Sequence, residues 1–374
     1  MIYQHKKTNK KFQLIKQGKR VSTYYDLPRC KTTVNGWFKF GIDKKSIIRN
    51  DNMIQIEDKM KYKPQLGLPY MGSKRKIANE IVNYILKKNK DVKYFYDVFG
   101  GGGAISFEAI QKHQIKKVFY NEFNGGVVSL LKDIRDNGIT DKYYQFIDRQ
   151  TFLDNKDKDD FLGGLCKVVW SFGNNQKDYI YGKDTEADKK LLHNVIINKC
   201  EDSLKAINDK FDTNISLDNN ALFDEDILQR LDKYLKISKN NSNIPEHFER
   251  LQHFERLNCL IDLANINLNI TNQSYEQVQF TTPPNETIIY LDPPYENTGK
   301  YEKDINHKEF YKWVDTLIDK GFKVYISSYE CHLPCVLEIE HTSSLSATTT
   351  NKVIEKLFCS VDENVSKDIQ LSLF

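Results

Sequence analysis

The chain has 374 residues, 40% of them hydrophobic and 28% charged, and a formal net charge of +4. That length accommodates a full catalytic domain plus an insert and an extra module. No run approaches the roughly 20 apolar residues of a membrane span and Met1-Ile2-Tyr3-Gln4 opens no signal peptide, so a cytoplasmic protein without a membrane partner is expected. Seven cysteines (30, 166, 200, 259, 331, 335 and 359) are dispersed, odd in number and without a C-x-x-C spacing, which fits a reducing compartment rather than a disulfide framework. Cys331-His332-Leu333-Pro334-Cys335 has no second ligand pair near it and reads as a strand-to-loop junction, so no metal is expected.

Charge is unevenly distributed. Residues 1–63 hold 16 Lys and Arg against 5 Asp and Glu, a balance of +11, which leaves −7 for the rest of the chain. A basic arm on a mildly acidic body suits a polyanion partner. Within it, Val21-Ser22-Thr23-Tyr24-Tyr25, Thr32-Thr33-Val34 and Trp37-Phe38-Lys39-Phe40 read as short strands, with a hairpin signal at Val34-Asn35-Gly36-Trp37. A small basic β module results. It either touches that polyanion through Arg20, Arg29, Lys31 and Trp37 or caps the remainder of the chain.

Pro69-Tyr70-Met71-Gly72-Ser73-Lys74-Arg75-Lys76 then precedes an amphipathic helix, Ile77 to Leu86. Lys93 to Val98 reads as a strand ending at Asp97, followed without a gap by Phe99-Gly100-Gly101-Gly102-Gly103-Ala104 and a helix from Ile105 to His113. Strand, glycine loop and helix bring backbone close to a ligand and turn helix N-terminal amides towards it. The spacing is neither a G-x-G-x-x-G fingerprint nor a phosphate loop, which needs Lys-Ser/Thr after its last glycine. A second strand, Lys117 to Tyr120, leads to Glu122, an acid about twenty residues beyond the loop, where ribose hydroxyls are held.

Some 170 residues separate Glu122 from the next motif, too many for a plain crossover, so something is inserted. Phe161 to Trp170 reads as a helix that runs into an aromatic, Asn- and Gly-rich loop, Ser171 to Gly182, where Lys177, Tyr179 and Tyr181 suit base edges and backbone. Thr185 to Phe211 and Asp224 to Ser238 read as amphipathic helices. His247 to Gln252 is nearly repeated as His253 to Asn258, with Phe248, Leu251, Phe254 and Leu257 every three residues, a packing stripe from which Arg250 and Arg256 can reach phosphates. After a strand from Ile266 to Ile270 and the stretch Thr271 to Glu276, the apolar run Ile288-Ile289-Tyr290-Leu291 stops abruptly at Asp292-Pro293-Pro294-Tyr295. A carboxylate, backbone carbonyls and an aromatic ring at one strand end are suited to accept hydrogen bonds from a planar amine while stacking its ring. Lys323 to Ser327 is a further strand, ending in Ser327-Ser328-Tyr329-Glu330, and Val353-Ile354-Glu355-Lys356-Leu357-Phe358 a late one.

In this order the motifs resemble those of alpha-ordered DNA N6-adenine methyltransferases of the Dam type, over Pro69 to about Ser360. The resemblance implies a Rossmann-like α/β fold that uses S-adenosyl-L-methionine, with a mostly helical target-recognition insert and the small basic N-terminal β module outside the match. Domains are then expected at 1–63, 64–160 (cofactor motifs), 161–265 (insert) and 266–374 (D-P-P-Y and later strands). It further implies cofactor contacts from Tyr70, Met71, Gly72, Lys74, Asp97, Phe99, Gly100, Gly101, Gly102, Gly103, Glu122, Ser274 and Asp292, and catalysis by Asp292, Pro293, Pro294 and Tyr295. The chain departs from the family at Ser274, where many relatives carry an aspartate that accepts from the cofactor's adenine amine. The serine hydroxyl, Asn272 or Gln273 would have to substitute. The expected reaction methylates a flipped-out adenine, stacked on Tyr295 beside Phe99, in double-stranded DNA. One active site suffices for one strand, so a monomer is expected; a restriction–modification setting beside a cognate endonuclease, a solitary methylase and mobile-element defence all stay open. The rivals are N4-cytosine methylation, glutamine methylation of proteins and a non-catalytic DNA-binding protein with a relic fold.

Overall fold

The computed structural model describes residues 2–5, 11–16, 21–26, 45–49, 53–56, 66–198, 200–212, 246–247, 250, 267–295, 305–346 and 349–361. The chain divides into two compact units, one of Met1–Pro64, Tyr144–Phe146 and Tyr181–Gln252, the other of Gln65–Tyr143, Ile147–Ile180 and His253–Phe374.

The first unit carries an antiparallel sheet of β1 (Ile2–His5), β2 (Lys11–Lys16), β3 (Val21–Asp26), β4 (Lys45–Arg49) and β5 (Met53–Ile56), in the order β4-β3-β2-β1-β5. The register of β2 on β3 jumps between Leu14 and Lys16, a bulge that absorbs Ile15 beside Leu14 in an otherwise alternating strand. β3 is the strand expected at Val21–Tyr25. The expected strands at 32–34 and 37–40, the hairpin, Arg20, Arg29, Lys31, Trp37, the helix at 224–238 and most of the 247–258 repeat lie outside the described residues. Where one helix from Thr185 to Phe211 is expected there are two, α6 (Lys183–Ile196) and α7 (Glu201–Phe211). Between them Cys200 N–H turns back onto the Asn194 carbonyl, and Glu201 and Asp202 open α7 with the acidic first turn that favours a helix start.

The second unit is built on a seven-stranded sheet, and five of its strands run parallel: β6 (Tyr94–Asp97), β7 (Lys117–Asn121), β8 (Leu268–Thr271), β9 (Thr287–Leu291) and β10 (Lys323–Ser328). β11 (Cys335–Ser346) and β12 (Thr349–Cys359) form a hairpin, and the order is β11-β12-β10-β9-β6-β7-β8 with β12 antiparallel to β10. All five residues of β9 are buried, which is why that strand reads as a continuous apolar run rather than an alternation. Helices α1 (Ala78–Lys88), α2 (Ala104–Ala109), α3 (Gly125–Asn137), α4 (Arg149–Asn155), α5 (Phe161–Val169) and α8 (His307–Asp319) complete it. α2 stops four residues before the expected end because i→i+3 bonds, from Lys112 N–H to Ala109 and Ile115 N–H to Lys112, turn the chain into β7. Phe310, Val314 and Leu317 of α8 pack on Ile289 and Leu291 of β9, Val324 and Ile326 of β10 and Phe358 of β12. Each such side chain contributes about 1.5–3 kcal/mol by leaving water, and this packing holds β9 at fixed height. Among the described residues no helix is long and apolar enough to cross a membrane.

Candidate active site

β6 and β9 are neighbours, yet the sheet continues from them in opposite directions, so a crevice opens beyond their carboxyl ends. A cleft of about 840 Å³ lies there, lined by the segment after Pro69, the glycine loop, the ends of β7 and β8, Asp292 and the loop before Tyr179.

The glycine loop is tied from three sides. Gly100 N–H donates to Asn121 carbonyl at 2.8 Å, the Tyr120 hydroxyl to Gly101 carbonyl at 2.7 Å, and Leu68 N–H to Gly102 carbonyl at 2.7 Å. Gly101 has φ +49°, and a Cβ on Gly102 would stand 2.5 Å from the Leu68 carbonyl oxygen, so side chains are excluded where the backbone lines the cleft. Gly103, with φ +78°, sits behind the lining as the N-cap of α2. Glu122 accepts from Gly101 N–H at 2.8 Å and Asn124 N–H at 2.9 Å, which fixes its carboxylate at the loop's edge; burial raises its pKa and these amides, with Tyr70, lower it. Asp97 Oδ2 accepts from Ser106 Oγ at 2.7 Å, while Oδ1 is buried without a hydrogen-bond partner. Burial, the largest effect, and the charges of Asp292 and Glu122 push the Asp97 carboxyl up to about 7, against the Ser106 bond.

Tyr70, Met71, Gly72, Lys74, Phe99, Ser274 and Asp292 all line the same cleft. Phe99 packs 5.5 Å from Tyr275, which meets Trp313 at 4.9 Å, an aromatic wall for a flat ring. Ser274 Oγ donates to Glu276 at 3.3 Å, leaving its oxygen lone pairs to accept, whereas the Asn272 amide donates to the Glu122 and Phe123 carbonyls and is spent on holding that loop.

The D-P-P-Y turn departs from expectation in one respect. Asp292 and Pro294 face the cleft, but Tyr295 is only 9% exposed, packed edge-on against Tyr329 at 4.7 Å. Its hydroxyl enters a polar cluster with Lys74 Nζ, 2.7 Å away, Asp292 Oδ1, 3.2 Å away, and Glu355. Lys74, expected only to help close the cofactor side, is 2.9 Å from Asp292. Tyr329 is 45% exposed and so shares the aromatic surface with Tyr295.

The loop from Ser171 to Tyr179 is stapled by Asn175, whose side chain binds Asp178 and the Lys177 and Asp178 amides, and by Asn124, whose amide donates to Gln176 at 3.0 Å. Lys177 is exposed on the rim of the cleft. Tyr179 and Tyr181 are not set on a nucleic-acid-facing surface. Tyr179 is 6% exposed with its hydroxyl on the Ile147 carbonyl, and Tyr181 is 7% exposed against His247 within the other unit. Aromatic composition alone does not distinguish a readout loop from one that packs, so both tyrosines read as contacts. Glu355 and Tyr329 each lie in a recognisable motif, but motif spacing marks neither as part of the site. Strand alternation is the signal, since it puts Glu355 on the same face as the buried Leu357. Among the described residues no group of three or more His, Cys, Asp and Glu is arranged to hold a metal.

An orphan acceptor at Asp97, a fixed carboxylate at Glu122 and an aromatic wall suit a ligand with an amine, a ribose diol and a flat heterocycle. S-adenosylmethionine carries all three groups. The family model for D12 class N6 adenine-specific DNA methyltransferases matches residues 70–332, and the chain belongs to that family. The Type II methyltransferase M.MjaIII of Methanocaldococcus jannaschii is 26% identical over 177 residues, 45% of this chain and 58% of the relative, so the chain spans little more than half of that protein. Solved structures similar to it include a Haemophilus influenzae protein assigned as a methylase (12% identity, TM-score 0.25, 79% of this chain and 92% of that one). Another is the rRNA methyltransferase aviRa of Streptomyces viridochromogenes (11% identity, TM-score 0.30, 79% and 87%).

Proposed function

We propose that the protein transfers the methyl group of S-adenosylmethionine to N6 of an adenine flipped out of double-stranded DNA. The observation that carries this reading is the placement of Asp292, at the end of β9, in one cleft with the glycine loop at the end of β6. When bound, S-adenosylmethionine supplies an electrophilic methyl group on a sulfonium. Asp97 and Glu122 are the residues to hold its amine and ribose, and Ser274 to meet its adenine amine.

The exocyclic nitrogen of adenine is conjugated with its ring and is a poor nucleophile. Asp292 and the Pro293 carbonyl accept its two hydrogens and draw it towards a tetrahedral geometry, so that its lone pair faces the methyl group. Pro294, with Tyr295 and its neighbour Tyr329, forms the wall against which the base lies, and Phe99 lines the cofactor side. The proton leaves to Asp292 or to water. Lys177 on the rim is placed for a phosphate, and residues 161–265 and the basic arm 1–63 would supply recognition and non-specific attraction. The name of the Type II relative supports a restriction–modification setting with a cognate endonuclease, and the reaction chemistry needs only a monomer. DNA as substrate and dispersed thiols favour the cytoplasm.

Incubation with unmethylated DNA and S-adenosylmethionine, followed by digestion to nucleosides and mass analysis, tests the reading. N6-methyladenine is expected. N4-methylcytosine would keep the chemistry and move the base, and no methylated nucleoside from a protein that binds the cofactor would reject the reaction.

A further inference from the structure

We propose that Glu355 is a positioning residue of this reaction: its buried carboxylate takes the Tyr295 hydroxyl proton and a share of the Lys74 charge, which keeps Asp292 open as an acceptor for the target amine. The inference rests on the adenine-methylation reading and assigns a role to a side chain that the chemistry above does not use.

Glu355 lies in β12, paired with Ile339 of β11, and is 5% exposed. A carboxylate there is costly unless it is paired and hydrogen-bonded. Its partners are the Tyr295 hydroxyl, which donates to Oε1, and Lys74 Nζ at 3.4 Å. A tyrosine hydroxyl has one proton, while an ammonium has three. The Tyr295 oxygen is 3.2 Å from Asp292, beyond the usual range for such a bond, so its proton belongs to Glu355. Lys74 is then divided between two carboxylates instead of neutralising one. With both ionised the trio keeps one negative charge, next to the position where the amine must be polarised.

The groups facing Asp292 are Lys74, Glu355, Tyr295, Tyr290 on its own strand and Asp97 on the neighbouring one. Burial pushes the Asp292 carboxyl up to about 6; Lys74 pulls it down and the Glu355 charge adds to the rise. Without the Glu355 charge, Asp292 is the carboxylate left beside Lys74 in this cluster, and it loses both proton affinity and strength as an acceptor.

Glu355→Gln keeps the size and a hydrogen-bond acceptor and removes the charge. The Asp292 carboxyl is followed by 13C NMR in aspartate-labelled protein, assigned by its loss in Asp292→Asn, and methyl transfer is assayed in parallel. Expected are a fall of about one unit in the Asp292 midpoint and a roughly tenfold fall in kcat at neutral pH. The KM for S-adenosylmethionine should stay within about twofold, and Glu355→Asp should recover part of the kcat. An unmoved midpoint, or a loss confined to cofactor KM, overturns the assignment. Should the wild type methylate no DNA while Glu355→Gln still moves the midpoint, the reaction reading fails and the shared-charge arrangement stands.

Discussion

Asp292 has a lysine on one oxygen, 2.9 Å away, and this makes its neighbourhood as decisive as its identity. Asp292→Ala should lower methyl transfer by about 10³-fold with cofactor affinity within a few-fold, as radiolabel transfer and calorimetry would register; retained activity would remove Asp292 from the mechanism. Tyr295→Ala should cost more than Tyr295→Phe, but Phe is not silent, because the lost hydroxyl leaves Lys74 and Glu355 without their shared partner; a tenfold drop in kcat for Phe is the expected scale. Asp97 gives a stability test. Its folded pKa, about 7, lies above the unfolded value near 3.8, so between those limits the folded state binds a proton that the unfolded chain has released, and stability falls as pH rises. Asp97→Asn should therefore gain nothing below pH about 4 and up to about 4 kcal/mol above pH about 7, seen in thermal melts, while cofactor binding is lost. A melting temperature with no pH-dependent gain would show that the carboxyl is not strained by burial.

The elements around the cleft matter for where they end. β6 and β9 run parallel in register from Tyr94 beside Thr287 to Asp97 beside Tyr290, so Asp97 ends level with Tyr290 and Asp292 follows two residues further along the same edge. The glycine loop bridges that edge. Gly102→Ala, with its Cβ forced onto the Leu68 carbonyl, should weaken cofactor binding at least about tenfold and lower the melting temperature, whereas Gly182→Ala, whose nearest neighbour is 3.7 Å away, should do neither. Equal binding by both would mean that the loop has room to shift. Much of this was legible beforehand. Apolar runs ending at Asp97 and Asp292, and the glycines after the first, gave β6, β9 and the loop to within a residue or two. The split between α6 and α7 was hidden because both halves are amphipathic, and only the acidic pair Glu201-Asp202 marks the second start.

At the scale of the molecule, charge and topology act over different distances. An arm of +11 on a body of −7 attracts a polyanion whatever its sequence. Replacing Lys6, Lys7, Lys10 and Lys19 together by Gln should weaken DNA binding by a similar factor on specific and unrelated duplexes. It should also flatten the dependence of log affinity on log salt by about three to four units, with kcat at saturating DNA unchanged. Loss on the specific duplex alone would instead make the arm a reader of sequence.

The sequence by itself determined the order of motifs and the residues at which the strands carrying them end, because strand ends, glycine runs and proline stops are local signals; the Rossmann-like core came from the family resemblance. The sequence also carried the family likeness that the match over residues 70–332 bears out. Tertiary structure alone decided which of those residues share a proton and a charge. Lys74 and Tyr295 are 221 positions apart, and Tyr295 and Glu355 sixty, so no spacing rule connects them. Burial in a common cluster does, by making each unpaired charge too costly to leave alone. The same burial withdrew Tyr179 and Tyr181 from the surface, since aromatic rings serve a core as readily as a nucleic acid.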